Sequence, residues 1–426
     1  GAEKIGGLLT SQIVEGHYFD YGTHMLQETL VPEIDQLLYD GCYDIKLFNQ
    51  YKIYTGGTYF NGKLYDDSPI LNLNDLSDAI KLKGFTELLE LKKQPYPTDG
   101  INLLEYIKKV KFGDVIADIL EPILEHKFET PLHELHPIAL KQFGLNRIKL
   151  LSKKCTEILK EDLFFNDRLG YHSYTHKVGD HLFFYPKKTG LIQWINQLEK
   201  KLVRQGVKVI TSKQIKRLDI KNKSVKNIEL NDGQILRCKN LFWACPLGFF
   251  STLANPNKPL SQPDTLLTTL LHFSFSKPFL TDVQCITNYD PNKYLFRITL
   301  YPNMTQDYSN NFDCTVEILH KERKLPDNLV SYIFNELVDM GIVSKDSEIL
   351  FSHINRPIRS FPILSTKFMD DVAKSEKELR KFNNVKFFGK GISQKFFMGD
   401  ILLDVYEKIK TGFLCEDGVE SEKCNV

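Results

Sequence analysis

The sequence reads as an α/β protein in which three separate strand-and-helix stretches alternate with a helical block and an antiparallel sheet. Three observations carry this expectation. Short apolar runs bounded by glycine turns occur near the start, between residues 183 and 250, and again from residue 385; such punctuation marks off strands. Apolar residues at helical spacing run through residues 71–161, a stretch too long to be a loop. Beyond Leu266 the pattern becomes period-two alternation.

Taken in order, Gly6-Gly7 precedes a short strand-like stretch, a turn at Glu15-Gly16-His17, and Phe19-Asp20-Tyr21-Gly22-Thr23-His24. A helix is expected from Val31 to Asp40, with Ile34, Leu37 and Leu38 on one face. Tyr51 to Tyr54 and Thr58 to Phe60 flank an expected turn at Gly56-Gly57, and Asn61-Gly62 marks a second turn before Lys63-Leu64-Tyr65. The helical block carries Leu73, Leu76 and Ile80, then Leu103, Leu104, Ile107 and Val110, then Val115, Ile116, Ile119 and Leu120. Phe183 to Gly190 leads into an amphipathic helix with Leu191, Trp194, Ile195, Leu198 and Leu202. Strands are expected at Val207 to Ile210, at Ile215 to Ile220, and at Leu241 to Ala244, with a hairpin turn at Asn231-Asp232-Gly233. Alternation at Leu270, His272 and Ser274, at Leu295, Arg297, Thr299 and Tyr301, and at Cys314, Val316 and Ile318 predicts the antiparallel sheet. A helix from Asn328 to Met340 follows. The end reads as a strand Val385 to Phe388, a turn Gly389-Lys390-Gly391, a helix from about Met398 to Lys410, and a disordered acidic tail.

Lys plus Arg total 55 against 54 Asp plus Glu, a net charge of +1. That balance argues against a general polyanion binder, so nucleic acid is not an expected partner. The 29 Phe and 19 Tyr suit an aromatic core or the walls of a flat aromatic ligand, and composition alone leaves both open. Eight cysteines with no C-x-x-C pair suggest neither a zinc site nor a disulfide framework. No apolar run approaches the ~18 residues that span a bilayer. With no signal-like start, a cytoplasmic location is expected.

The motifs resemble the FAD-dependent amine oxidase and protoporphyrinogen oxidase superfamily, including its UDP-galactopyranose mutase branch. The resemblance rests first on Gly6-Gly7 followed by Asp20-x-Gly22-x-His24. It continues with Tyr185-Pro186-Lys187 before a helix, Ile215 on the next strand pair and Ala244-Cys245-Pro246. It ends with Gly389-Lys390 ten residues before Met398-Gly399-Asp400-Ile401. It implies a Rossmann-like FAD-binding domain interleaved with a helical plus antiparallel-sheet substrate domain. In that superfamily a G-x-G-x-x-G loop and a ribose-gripping acid come before the Gly-Gly pair. Neither stands before Gly6, so the domain is expected to lack its first strand and helix. The implied divisions are residues 1–70, 183–265 and 351–414 for the FAD-binding domain, 71–182 for the helical insertion, 266–350 for the antiparallel sheet, and 415–426 for the tail.

The resemblance implies Gly6, Gly7, Gly22, Ile215, Gly389, Lys390, Met398, Gly399, Asp400 and Ile401 as FAD-binding residues, the last four at a helix N-terminus suited to an anion. His24 and Arg297 are the candidate catalytic residues. His24 could bond the isoalloxazine or move a proton near neutral pH, or simply donate to a loop carbonyl. Arg297 stands where the mutase branch holds a substrate phosphate, or is the solvated face of a strand. The implied activity is hydride transfer from a small-molecule substrate to FAD. Two alternatives stand beside it: a mutase acting on a sugar nucleotide, whose diphosphate-binding tyrosines are replaced here by Gln394 and Phe396, and a chain that no longer binds FAD. No metal site is expected; His133-x-x-His136 lacks a third ligand, and Pro137 ends any helix there. Arg356 and Arg359 read as loop arginines, and His172, His176 and His181 as surface or cavity-lining residues.

Overall fold

The first structural unit is a hairpin, because Glu15 and Gly16 both take left-handed backbone (φ 49° and 88°) and so match the twist of the strands they join. The strands are β1 (Ser11–Val14) and β2 (His17–Asp20). The computed structural model describes residues 3–93, 96–170, 181–255, 260, 262–309, 312–389 and 397–413. The tail from residue 415 and Lys390, Gln394 and Phe396 lie outside them.

After β3 (Leu26–Gln27) the helix Pro32–Tyr39 forms with Pro32 in its first turn. Its buried face is Ile34, Asp35 and Tyr39, whereas Leu37, expected inside, is 47% exposed. Asp35 sets this rotation: its carboxylate accepts from the Thr29 N–H and hydroxyl and the Leu30 N–H at 2.8–3.0 Å, which turns Leu37 outward. β4 (Phe48–Tyr51), β5 (Gly56–Phe60) and β6 (Lys63–Tyr65) follow. Asn61-Gly62 closes the β5–β6 hairpin as expected. Gly56-Gly57 is not a turn but the start of β5, drawn into the large sheet by parallel pairing with residues 285–288.

Residues 78–159 are chiefly helical, with long helices at Asp78–Lys93 and Asp114–Phe128 and shorter turns between and after them. Their core includes Leu88, Leu103, Ile107, Ile116, Leu120 and Phe128, all with no exposed surface. β7 (Phe183–Pro186) then returns to pair with β3 and β4, and leads into the helix Ile192–Arg204, whose Trp194 and Ile195 are buried.

The residues 207–210 expected as a strand join no sheet. Val207 and Ile210 are 45% and 38% exposed, and no strand lies beside them among the described residues. β8 (Ile215–Lys221), β9 (Ser224–Leu230) and β10 (Ile235–Arg237) form an antiparallel meander. β11 (Leu241–Trp243) runs into the unanticipated helix Leu247–Ala254.

The alternating region forms β12 (Thr265–Phe275), β13 (Cys285–Asn288), β14 (Leu295–Leu300) and β15 (Phe312–His320). β16 (Ile349–Ile354) and β17 (Ile358–Pro362) complete it. The eight-stranded sheet runs β16-β12-β15-β14-β13-β5-β6, with β17 also on β12. One face packs Phe273, Phe275, Ile298, Val316 and Ile318 against the helix Leu329–Asp339. The other face is polar at His272, Ser274, Arg297, Thr299, Thr315 and Glu317, while Leu266, Phe296 and Leu319 join the core of the helical block. Finally β18 (Val385–Phe387) pairs in parallel with β11, and the helix Met398–Phe413 ends the described chain. A further helix, Thr366–Leu379, is capped by the Ser365 hydroxyl and was not anticipated.

Candidate functional site

Alternation on β14 and β15 places Arg297 and Thr299, and Thr315 and Glu317, on the polar face. The antiparallel register sets Arg297 opposite Glu317 and Thr299 opposite Thr315. Side chains directly across such a ladder touch. The Arg297 guanidinium is forked onto the Glu317 carboxylate, Nε–Oε1 2.7 Å and Nη2–Oε2 2.9 Å. The acid side chain is nearly buried (4% exposed) and the arginine a quarter exposed. Burial alone would raise the Glu317 carboxyl, but the arginine charge, its hydrogen bonds and the Thr23 N–H outweigh it, so the carboxyl lies below its ordinary value.

The residues after β2 close over this pair. The Thr23 N–H donates to Glu317 Oε1 at 3.0 Å, and its hydroxyl meets that of Thr299 at 2.5 Å. Gly22 has φ 107° and sits so close that an added Cβ would be 3.0 Å from the Glu317 carboxyl group; only glycine lets the chain lie there. His24, half-buried, is near enough to help hold Glu317 ionised. On β13, the Cys285 thiol accepts from the Tyr54 hydroxyl at 2.8 Å and feels the Arg297 charge. Arg297 is thus bonded to a buried carboxylate that also feels the charge of His24, from a distant part of the chain.

A second polar centre anchors the hairpin to the helix Ile192–Arg204. Buried Asp20 accepts from the Ser11 hydroxyl (2.5 Å), the Tyr185 hydroxyl (2.6 Å) and the Leu191 N–H (3.1 Å), and Ser11 Oγ accepts from the Ile192 N–H (3.0 Å). These bonds satisfy amides at the helix start from residues far away in sequence. Burial raises the Asp20 carboxyl above its usual range despite these three donors. The Tyr301 hydroxyl, accepting from the Asp20 N–H, meets Thr315, which in turn meets His272 Nδ1. The hydrogen-bonded centre therefore extends across the polar face of the sheet.

The expected cofactor residues fall into two clusters. Gly6 packs on Ile195, and among the described residues Gly7 has nothing within 4 Å of where its Cβ would be. Flanking Ile5 and Leu9 share a hydrophobic cluster with Phe19, Met25, Leu26 and Met398. That cluster therefore borders chain neighbours of the Gly-Gly pair and of Gly22 as well as the first residue of the last helix. Gly399 also borders open space among the described residues, while Asp400 is exposed and Ile401 half-buried. Ile215 instead packs with Trp243, Val385 and Phe387, beneath the parallel β11–β18 pair. Gly389, with φ 86°, lies just past the carboxyl end of β18, its Cβ position 3.6 Å from the Ala244 carbonyl oxygen. Lys390 lies outside the described residues.

The other sequence candidates separate from this site. His136 Nδ1 accepts from the Ile138 N–H, and His181 Nδ1 meets the Glu28 carbonyl. Arg356 and Arg359 are exposed, and His172 and His176 lie outside the described residues. Among the described residues no group of three His, Cys, Asp or Glu could hold a metal ion, and no helix is long and apolar enough to cross a membrane. Sequence reasoning missed Glu317. Its signal was an acid flanked by Val316 and Ile318 in an apolar strand, a position where burial demands a charged partner.

No family model and no curated protein matches the chain. Solved structures do. A reduced UDP-galactopyranose mutase superposes with a TM-score of 0.67 at 14% identity, over 90% of this chain and 80% of that one. A protoporphyrinogen oxidase-like protein from Exiguobacterium sp. 255-15 gives 0.62 at 14% identity, over 96% and 91%. A fatty acid isomerase from P. acnes that produces CLA gives 0.58 at 12% identity, over 97% and 91%. The chain has the α/β fold these structures share.

Proposed function

We propose that the protein is an FAD-dependent oxidoreductase that takes hydride from a small-molecule substrate. The observation that carries this reading is that chain neighbours of the Gly6-Gly7 pair (Ile5, Leu9), neighbours of Gly22 (Phe19, Met25) and the first residue of the last helix (Met398) all belong to or pack against one hydrophobic cluster. Among the described residues nothing lies within 4 Å of the Cβ position of Gly7 or of Gly399. Two further features suit a dinucleotide. Ligands of parallel sheets sit beyond the carboxyl ends of the strands, where Gly389 follows β18, and the first amides of a 16-residue helix favour an anion. When bound, FAD would supply the hydride acceptor.

The chain's own residues do the rest. Gly6, Gly7, Gly389, Met398, Gly399, Asp400 and Ile401 hold the cofactor, Gly22 lets the chain approach the site closely, and Ile215 supports the adenine end. Arg297, fixed in direction by Glu317, orients the substrate, and His24 moves a proton at its imidazole. The substrate approaches between the helical block and the polar sheet face.

The test has two steps. The protein is saturated with FAD, passed through gel filtration and examined for retained flavin absorbance. The loaded protein is then mixed anaerobically with amine and alcohol donors and followed for bleaching. Retained flavin bleached by a donor is expected. A colourless protein overturns the reading. Pyranose–furanose interconversion of UDP-galactose by the reduced protein would replace hydride transfer with mutase chemistry.

A further inference from the structure

The Arg297–Glu317 pair constrains what can lie against it, an inference that rests on reading the cleft beside His24 as the substrate site. An arginine on a site wall ordinarily serves as an anion anchor, because its planar fork matches phosphate or carboxylate geometry. Here one edge of that fork is already filled. Nε and Nη2 are both engaged by one carboxylate at 2.7 and 2.9 Å, so the side-on grip on a phosphate is taken and only the Nη1–Nη2 edge is left. The carboxylate is also fastened from the other side by the Thr23 N–H at 3.0 Å. It cannot swing away without breaking that bond and pushing against the Gly22 backbone.

The charge balance agrees. Glu317 is held ionised, cancelling the guanidinium. The next cation inward is Lys127, whose Nζ donates to the Asn288 carbonyl at 2.6 Å and packs 4.5 Å from the centre of the Phe296 ring. Burial, helped by the Arg297 and Arg323 charges, pushes that amine down to about 7, so near neutral pH only part of its charge remains. What remains of the guanidinium is its Nη1–Nη2 edge, whose Nη1 makes no hydrogen bond among the described residues. It is a donor on a neutral pair.

We infer that Glu317 is a specificity-determining residue that neutralises Arg297 in advance, so that the cleft takes a substrate presenting an uncharged oxygen (carbonyl, hydroxyl or amide) to Nη1 and rejects phosphate or diphosphate there. An incoming dianion would meet the Glu317 carboxylate within a few ångströms of the arginine, and like charges at such range repel strongly in a partly desolvated site. Removing the acid's charge should convert the same arginine into an anion anchor.

The experiment titrates inorganic pyrophosphate and UDP calorimetrically into the wild-type protein, Glu317→Gln, Arg297→Met and the double variant. Expected is no Arg297-dependent binding in the wild type. Glu317→Gln should gain affinity of about tenfold or more, and the double variant should lose that gain. A merely structural role for Glu317 would not produce a gain that depends on Arg297. Micromolar wild-type binding that disappears in Arg297→Met overturns the inference. Should Glu317→Gln fail to fold, as judged by its thermal transition, the wild-type and Arg297→Met titrations decide alone. Flavin retention is read separately by absorbance, so a colourless protein sinks the flavin reading, and Arg297-dependent anion binding sinks only this one.

Discussion

Lys127 shows how a single residue can be held against its own solvation. It lies in the last turn of the helix Asp114–Phe128, is 5% exposed, and donates to the Asn288 backbone carbonyl, with no carboxylate acceptor among the described residues. Three rings, Phe143, Tyr289 and Phe296, lie 4.5–5.7 Å from the amine and recover part of the lost hydration. Its folded pKa, near 7, is below the unfolded value of 10.5. Between those values the unfolded chain binds the extra proton, so this group makes stability rise with pH from about 7 upward; below 7 both states are protonated and the burial penalty is felt in full. Lys127→Met should therefore stabilise the protein at acidic pH by on the order of 1–3 kcal/mol, with the advantage shrinking as pH rises above 7. Chemical denaturation of both proteins at pH 6 and pH 9 checks this. An equal difference at the two pH values would show that the amine does not titrate there.

Among the elements, the helix Ile192–Arg204 depends most on distant residues. Its start is held by Asp20 and Ser11 from the opening hairpin, and Gly190 is the position that lets them approach. Its φ is 63°, and an added Cβ would stand 2.4 Å from Ser11 Oγ and 2.7 Å from Asp20 Oδ1. Gly190→Ala should cost about 2–4 kcal/mol, combining backbone strain with loss of the cap. Ser11→Ala, which removes one acceptor without the clash, should cost about 1 kcal/mol. Urea denaturation measures both, and an alanine at 190 costing less than one at 11 would disprove the packing argument. This dependence also explains what could be read locally. Asn61-Gly62, Asn231-Asp232-Gly233 and the amphipathic Leu191–Leu202 stretch are specified by neighbours in sequence, and they form as expected. Leu37 and Gly56-Gly57 differ from expectation because a buried aspartate in one case, and a strand more than two hundred residues away in the other, decide their surroundings.

At the scale of the whole molecule the sheets differ greatly in support. The alternation beyond Leu266 announced the antiparallel sheet. That Arg297 would face Glu317 was not legible, because register follows from which strands pair, and spacing within one strand does not carry that. Similarly Val207 to Ile210 has strand-like composition but no partner among the described residues. In the large sheet β15 is paired on both edges, by β12 and β14, over a face with no solvent. The β11–β18 pair is only three residues long, with no third strand among the described residues and with Phe242 48% exposed. Two-stranded pairs are marginal by themselves, and local opening follows sparse support. Amides of β15 should therefore exchange with solvent at least about 100-fold more slowly than those of β11 and β18. If FAD binds beyond the ends of these strands, saturating FAD should slow exchange in the peptides covering residues 385–389 and 398–401 and leave β15 unchanged, since a ligand protects only the openings that its binding opposes. Hydrogen exchange followed by mass spectrometry, with and without FAD, measures both effects. Equal protection of β15 and β18 without ligand would contradict the weak-pair argument. Protection that FAD spreads evenly over both sheets would mean that the cofactor stabilises the molecule as one cooperative unit and not by closing this end of the short parallel pair.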